Sequence, residues 1–222
     1  MKIWKASLFV IAILLLTACS SSSEEVYEEI DVSPEEKVNE KEVVLTINGE
    51  DVDGKVYNEM YLQVKTIAER VEKDTEATSE SLREETIHTL INNILFLQLA
   101  EEKGIAIDRS DMEEDIKRLK KLDDEGYREL KNKFNYTDAG IANQIRLEKA
   151  RKDYIDSYIS IEVTEEEVKE FYDETVAKTE EDLPDFDSAY ASLKETLEVN
   201  AALKEVAEHI EAYKDESDIV IH

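Results

Sequence analysis

Val43-Val44-Leu45-Thr46-Ile47-Asn48-Gly49-Glu50 is the stretch that decides the architecture. Its β-branched run predicts a short strand, since branched side chains suit a pleated surface, and Asn-Gly is the dipeptide best suited to a tight turn with positive φ. A second run of this kind, Ile219-Val220-Ile221, stands near the far end of the chain. An isolated strand has no stability in water, so it needs a partner, and Val43 to Ile47 is the candidate. That pairing would join the two ends of the domain and oblige the chain between them to fold back on itself.

The chain between them reads as helix. Tyr57, Met60, Tyr61, Val64, Ile67, Ala68 and Val71 recur at spacings of three and four, which places them on one helical face. The next helix is expected to begin near Ser81, whose spacing to Glu84 suits a reciprocal capping box, and to run to Lys103-Gly104. Its residues Ile87, Leu90, Ile91, Ile94, Leu95, Phe96, Leu97 and Leu99 make it apolar on most sides. At about 1.5–3 kcal/mol per fully buried large side chain, it is the natural centre of a core. Ser110 to Glu113 suggests another capping box, ahead of Met112, Ile116 and Leu119 and then Tyr127, Leu130 and Phe134.

Thr137 is placed to cap a long helix carrying Ile141, Ile145, Leu147, Tyr154, Ile155 and Tyr158. Thr164 and Glu167 form a third capping box, opening a helix with Val168, Phe171 and Tyr172 on one face. After a linker around Leu183-Pro184-Asp185, a last long helix uses Tyr190, Leu193, Leu197, Leu203, Val206, Ala207, Ile210 and Tyr213. The expected fold class is mainly α: a helical domain over residues 42–222 with a small β-strand pair joining its N- and C-terminal ends.

Before that domain, Met1-Lys2-Ile3-Trp4-Lys5 carries two positive charges, and the apolar run Ala6 to Leu16 is too short to span a bilayer as a stable helix. Residues 1–18 therefore read as a signal peptide. Its end, Leu16-Thr17-Ala18-Cys19, resembles the lipobox of bacterial lipoproteins, which implies a diacylglyceryl group on the Cys19 thiol and a place on the outer face of the bacterial cytoplasmic membrane. Cys19 is the single cysteine, so the domain beyond it can hold no intrachain disulfide. Residues 19–41, Ser-rich and then acidic with Pro34, are expected to be a disordered spacer.

Against 27 basic side chains stand 55 acidic ones, a formal net charge of −28. Nucleic acid is excluded as a partner, because affinity for phosphates comes from counterion release by Lys and Arg. An anionic membrane surface would repel the chain as well, which leaves the lipid anchor as its one contact with the bilayer. The acidity is explained by solvated helix faces, or by selection for basic partner segments. No G-x-S-x-G elbow, phosphate-binding glycine loop or H-E-x-x-H motif is present, and His88, His209 and His222 sit on separate elements without a second ligand at helical spacing. No catalytic residue, metal site or cofactor is expected. His88 reads as partly buried beside an apolar helix and His209 as a surface residue.

This order of elements resembles the SurA-type N-terminal chaperone domain, which also flanks the parvulin isomerase in PrsA-like foldase lipoproteins. The resemblance is carried by Val44-Leu45-Thr46-Ile47-Asn48-Gly49-Glu50, Leu90-Ile91-Asn92-Asn93-Ile94-Leu95, Ala100 with Gly104-Ile105, and Val163-Thr164-Glu165-Glu166-Glu167-Val168-Lys169-Glu170-Phe171-Tyr172. It spans nearly all of residues 42–222, and no one of these motifs is diagnostic alone. In the PrsA-like arrangement a complete isomerase follows the last segment, whereas here Asp173 to Phe186 leave only a loop, and a domain needs at least roughly 50 residues. The resemblance thus implies a chaperone that binds unfolded, newly exported polypeptides without prolyl isomerase activity. The rival expectation is a structural or adaptor lipoprotein that keeps the fold and binds one envelope or export partner.

Ten tyrosines against one tryptophan suit surfaces that must be both soluble and adhesive. Tyr57, Tyr61, Tyr154 and Tyr158 lie on apolar stripes and read as packing residues, as do Met60 and Met112. Tyr127, Phe134 and Tyr136 flank weaker amphipathic segments and are the candidates for client contact, with packing as the equal alternative.

Overall fold

In the computed structural model, Tyr27 and residues 29–73, 76–107, 112–178 and 184–222 are described. The signal peptide, Cys19 with its lipobox, Ser110 and Leu183 lie outside the described residues, as does the side chain of Met112.

β1 (Val43–Ile47) turns through Asn48 and Gly49, at φ 50° and 82°, into β2 (Glu50–Asp53). Positive φ at both central residues matches the right-handed strand twist, which is why Asn-Gly serves here. β3 (Ile219–Ile221) joins the other edge of β1 antiparallel, with Leu45 opposite Ile221 and Ile47 opposite Ile219. The sheet order is β2-β1-β3, so the expected pair exists and a third strand extends it. β2 was hidden because Glu-Asp-Val-Asp has one apolar residue, Val52, to face the core. The Asn48 side chain locks the closure: it donates to Gln98 Oε1 (2.8 Å) and Ser217 Oγ (3.2 Å) and accepts from the Asp218 amide (2.9 Å).

Asp53 caps α1 (Gly54–Thr66), which continues as one wider π-type segment, Ile67–Glu72. α2 (Ser79–Glu102) starts two residues earlier than Ser81. Thr78 is its cap and Ser81 the reciprocating third residue, a correction to the Ser81–Glu84 pairing: a short hydroxyl reaches the cap amide as well as a carboxylate does. At its other end Gly104 (φ 80°) lets the Ile105 amide reach Ala100 O and the Gly104 amide reach Glu101 O, a Schellman closure. α3 (Met112–Leu122), α4 (Asp124–Asn132, capped by Asp123) and α5 (Asp138–Tyr158, capped by Thr137) follow. α6 (Glu165–Lys178) carries the expected Thr164–Glu167 box, and α7 (Phe186–Asp215) is capped by Asp185. Asp173 to Lys178, expected as part of a loop from Asp173 to Phe186, are helical, and α7 begins at Phe186.

α2 packs against α1, α5, α7 and β1, which explains a helix apolar on most sides. One buried cluster joins Leu45, Ile47 and Val52 of the sheet to Tyr57 and Tyr61 of α1 and to Leu90, Ile91 and Leu95 of α2. A second holds Phe96, Leu99 and Ala100 against Leu147 and Tyr154 of α5 and Val206 of α7. Tyr57, Tyr61 and Tyr154 are buried, as the stripes imply, but Tyr158 is 46% exposed: the last residue of α5, its ring leans on Tyr154 and its hydroxyl donates to Lys103 O.

For residues 29–41 the spacer expectation needs correction; the rest of that segment lies outside the described residues, Tyr27 excepted. Residues 29–41 lie against the domain, with Val32 and Val38 packed on the first cluster. Asn58 holds Val38 by both its backbone groups (3.0 and 2.9 Å), and Gly54 and Lys55 donate to Glu42 O and Glu40 O. Glu36 is buried, accepting from Tyr61 Oη (2.6 Å), Lys65 Nζ (2.9 Å), Ser79 Oγ (3.2 Å) and the Ser33 amide (2.8 Å). Composition pointed to disorder because the stretch has little apolar area of its own; it is ordered by a fully partnered carboxylate.

Candidate binding surfaces

Tyr127, Phe134 and Tyr136 are brought together, but as the interior of a small lobe. α3 and α4 are short and amphipathic and bury their apolar faces on the start of α5, forming a third cluster of Ile116, Tyr127, Tyr136, Ile141 and Ala142, with Leu119, Leu130 and Phe134 against it. The Tyr127 hydroxyl donates to Asp138 Oδ1 (2.7 Å), and Lys120 Nζ lies 4.4 Å from its ring centroid. Lys131 bonds the same carboxylate oxygen (2.7 Å), which holds the Asp138 carboxyl below its usual range and pushes Lys131 up. Burial raises Tyr136. Of the two alternatives, client contact and packing, Tyr127 and Tyr136 take packing: two short helices have no other apolar area with which to fold. Phe134 remains half-buried, with Lys133 over its ring, and Leu122 at the end of α3 is 78% exposed.

A second surface went unmarked in the sequence. α6 packs chiefly against α7, and α7, at 30 residues, is about 45 Å long. Its buried residues, Ala202 and Val206, lie in the second half, where it meets α2. The first half and α6 form a helical hairpin beyond the core, in which Val168 is the one buried residue among those described. Phe171, Tyr172, Phe186, Tyr190, Leu193 and Leu197 are all half-buried, and Val176 and Val199 are 45% and 46% exposed. Tyr172, Phe186 and Tyr190 meet edge to face at 5.5 and 5.7 Å between centroids, and Tyr172 Oη donates to Pro184 O. These side chains form an apolar seam between the two helices with an aromatic end, and α7 is the element against which α6 chiefly packs. Val176 and Val199 fall off the main stripes, so periodicity alone passes over them.

The histidines exchange their expected settings. His88 is exposed, near Asn92, while His209 is half-buried and shares a hydrogen bond with Tyr154 Oη (2.9 Å). Among the described residues no cluster of His, Cys, Asp or Glu could hold a metal ion. An open cleft of about 580 Å³ between the Asn48 turn and the ends of α2 and α7 is lined by Asn48, Gln98, Glu101, Glu102, Tyr213, Glu216 and Ser217. Desolvation, and then the hydrogen bond to Glu102, push the Tyr213 hydroxyl up to about 12. The cleft is polar and shallow, with no apolar floor to hold a ligand. Among the described residues no helix is long and apolar enough to cross a membrane.

Helices packed around a small sheet that pairs β3 with β1 make this a mainly α domain. The chain belongs to the SurA-like N-terminal domain family, whose model matches residues 2–140. The match takes in β1, β2, α1 to α4 and the first residues of α5; α6, α7 and β3 lie beyond it. A comparison with curated proteins finds no match.

Proposed function

We propose that this protein is a lipid-anchored holdase on the outer face of the bacterial cytoplasmic membrane, which binds unfolded exported polypeptides and does not isomerise prolyl bonds. The observation that carries this reading is the α6–α7 seam: half-buried aromatic and aliphatic side chains spread along a hairpin, rimmed with charge, on a member of a chaperone-domain family. Dispersed, shallow apolar area binds many sequences weakly, whereas a deep pocket would select one. Phe134 and the exposed Leu122 of the α3–α4 lobe offer a lesser surface of the same character. The seven residues 179–185 between α6 and α7 stand where the PrsA-like arrangement carries its isomerase. A lipid on Cys19 would hold the module near emerging chains and raise its local concentration there.

The test is suppression of aggregation. Full-length protein carried in phosphatidylcholine nanodiscs should slow light scattering by several unrelated unfolded proteins at near-equimolar ratio, while empty nanodiscs do not. No suppression of any of them would contradict the reading.

A further inference from the structure

β3 is an edge strand of the sheet, and one of its two sides is used. The Asn48 amide donates to Asp218 O (2.8 Å) and the His222 amide to Val44 O (3.0 Å). With Ile47 opposite Ile219 and Leu45 opposite Ile221, that phase gives residues 218, 220 and 222 the bonds to β1. The amides and carbonyls of Ile219 and Ile221 therefore point away from β1, and among the described residues no backbone group pairs with them. The side chains at this edge are uncovered too. Val220 is 43% exposed and Ile221 is 61% exposed, although Ile221 lies on the same face as Ile219, which packs on the first cluster. Edge strands commonly carry a lysine, a proline or a bulge that discourages pairing, and Ile219-Val220-Ile221 has none of these.

We propose that this edge pairs with the same edge of a second copy, antiparallel about Val220, so that the two sheets become one. The open backbone groups fix the register. With Val220 opposite Val220, Ile219 of each copy stands opposite Ile221 of the other, and these are the residues whose amides and carbonyls face outward. Ile221 is then covered by Ile219 of the second copy, which carries the first cluster across the two-fold axis. The two Val220 side chains meet at the close spacing of a pair without hydrogen bonds, about 4.5 Å between Cα atoms. Asp218 and His222, both exposed, lie on the face of Val220, and the same register sets Asp218 of each copy beside His222 of the other. His222 keeps a ring nitrogen for that contact, since Nε2 shares its hydrogen bond with Thr46 Oγ1 (2.9 Å). An unrelated extended segment would satisfy the backbone groups but would not bring this match of carboxylate to imidazole, which is what favours the second copy. So short a pairing is too weak to hold two dilute chains together. Confinement to one membrane surface by the proposed lipid anchor raises the effective concentration at which the edges meet. The pairing rests on that anchor and is independent of what the α6–α7 hairpin binds.

The experiment uses full-length protein in phosphatidylcholine vesicles, oxidised with copper phenanthroline, with Val220→Cys as the probe. The Cα spacing suits a disulfide, so cross-linked dimers should form about tenfold faster than with Leu122→Cys, whose more exposed position reports random collisions. Adding Ile221→Pro removes an amide that faces away from β1 and leaves the bonds of Val220 and His222 to β1 in place. Tm should then hold while the cross-link falls to the Leu122→Cys rate. Ile221→Lys, which leaves the backbone intact, should cause the same fall through a charge at the edge, and so serves if proline loosens β3. Flotation of the vesicles separates the pairing from the anchor. Protein that floats without the fast cross-link overturns the pairing. Protein that does not float overturns the anchor, and the pairing is then read from sedimentation of the chain at millimolar concentration, where a monomer overturns it. A fast cross-link that survives both Ile221 variants would overturn the register. In cells, capture of exported polypeptides by Val220→Cys in place of a second copy would make the edge a strand-addition site for clients and overturn the proposal.

Discussion

Glu36 shows how one side chain can order a segment that composition marks as disordered. Burial alone would raise its carboxyl, but the hydrogen bonds from Tyr61, Lys65 and Ser33 outweigh that and hold it at about 2, against 4.5 for a free glutamate. A carboxyl depressed on folding stabilises fully at pH values well above 4.5, and that stabilisation is lost as the pH falls from there toward 2. The difference corresponds to a loss on the order of 3 kcal/mol. Glu36→Gln should thus lower Tm at pH 7 by roughly 5–10 °C and converge on the wild type near pH 2, as thermal melts across pH 2–7 would show. Parallel curves for the two proteins would rule the network out as the anchor. Gly54 gives a second check on the same docking, because a Cβ there would sit 2.1 Å from the backbone oxygen of Asn39. Gly54→Ala should cost about 1–3 kcal/mol and raise amide exchange over residues 38–42, whereas an unchanged Tm would mean the segment is not held there.

At the scale of elements, long apolar periodicities read correctly and short polar elements did not. α2, α5 and α7 were legible because each places several large side chains on its stripes, and Thr137 and Thr164 marked their helix starts by local chemistry alone. β2 was invisible because its identity comes from pairing with β1, and Ser81 was misread because two hydroxyls can trade the roles of cap and reciprocator. The spacing left Tyr127 and Tyr136 open between packing and client contact for a related reason: whether an amphipathic face is covered depends on which helix comes to it, which spacing does not record. β3 offers the test at this scale. Its pairing to Leu45, Thr46 and Ile47, together with the Asn48 bonds to Ser217 and Asp218, makes the chain's end part of the sheet. Deleting residues 218–222 should expose the edge of β1 and lower Tm by several degrees, a ΔΔG of about 1–3 kcal/mol, with helical content kept; an unchanged melt would refute the closure.

For the whole molecule, the division is between a core that is packed on all sides of α2 and a hairpin that is packed on one. A net charge of −28 keeps such half-covered apolar area in solution, which is what a chaperone surface needs and a folded enzyme core does not. The resemblance to a chaperone domain was readable from the ordered motifs, and the family match bears it out over residues 2–140. The hairpin as the place of contact was not readable, since its significance lies in what fails to cover it. Photocrosslinking in cells, with the probe at Tyr172 or Tyr190 on the seam, tests the central claim most directly. Capture of many unrelated exported polypeptides, reduced by Leu193→Ser, is the predicted result. One recurrent partner at both positions would make this an adaptor on a chaperone's fold, and no capture at either would contradict the account.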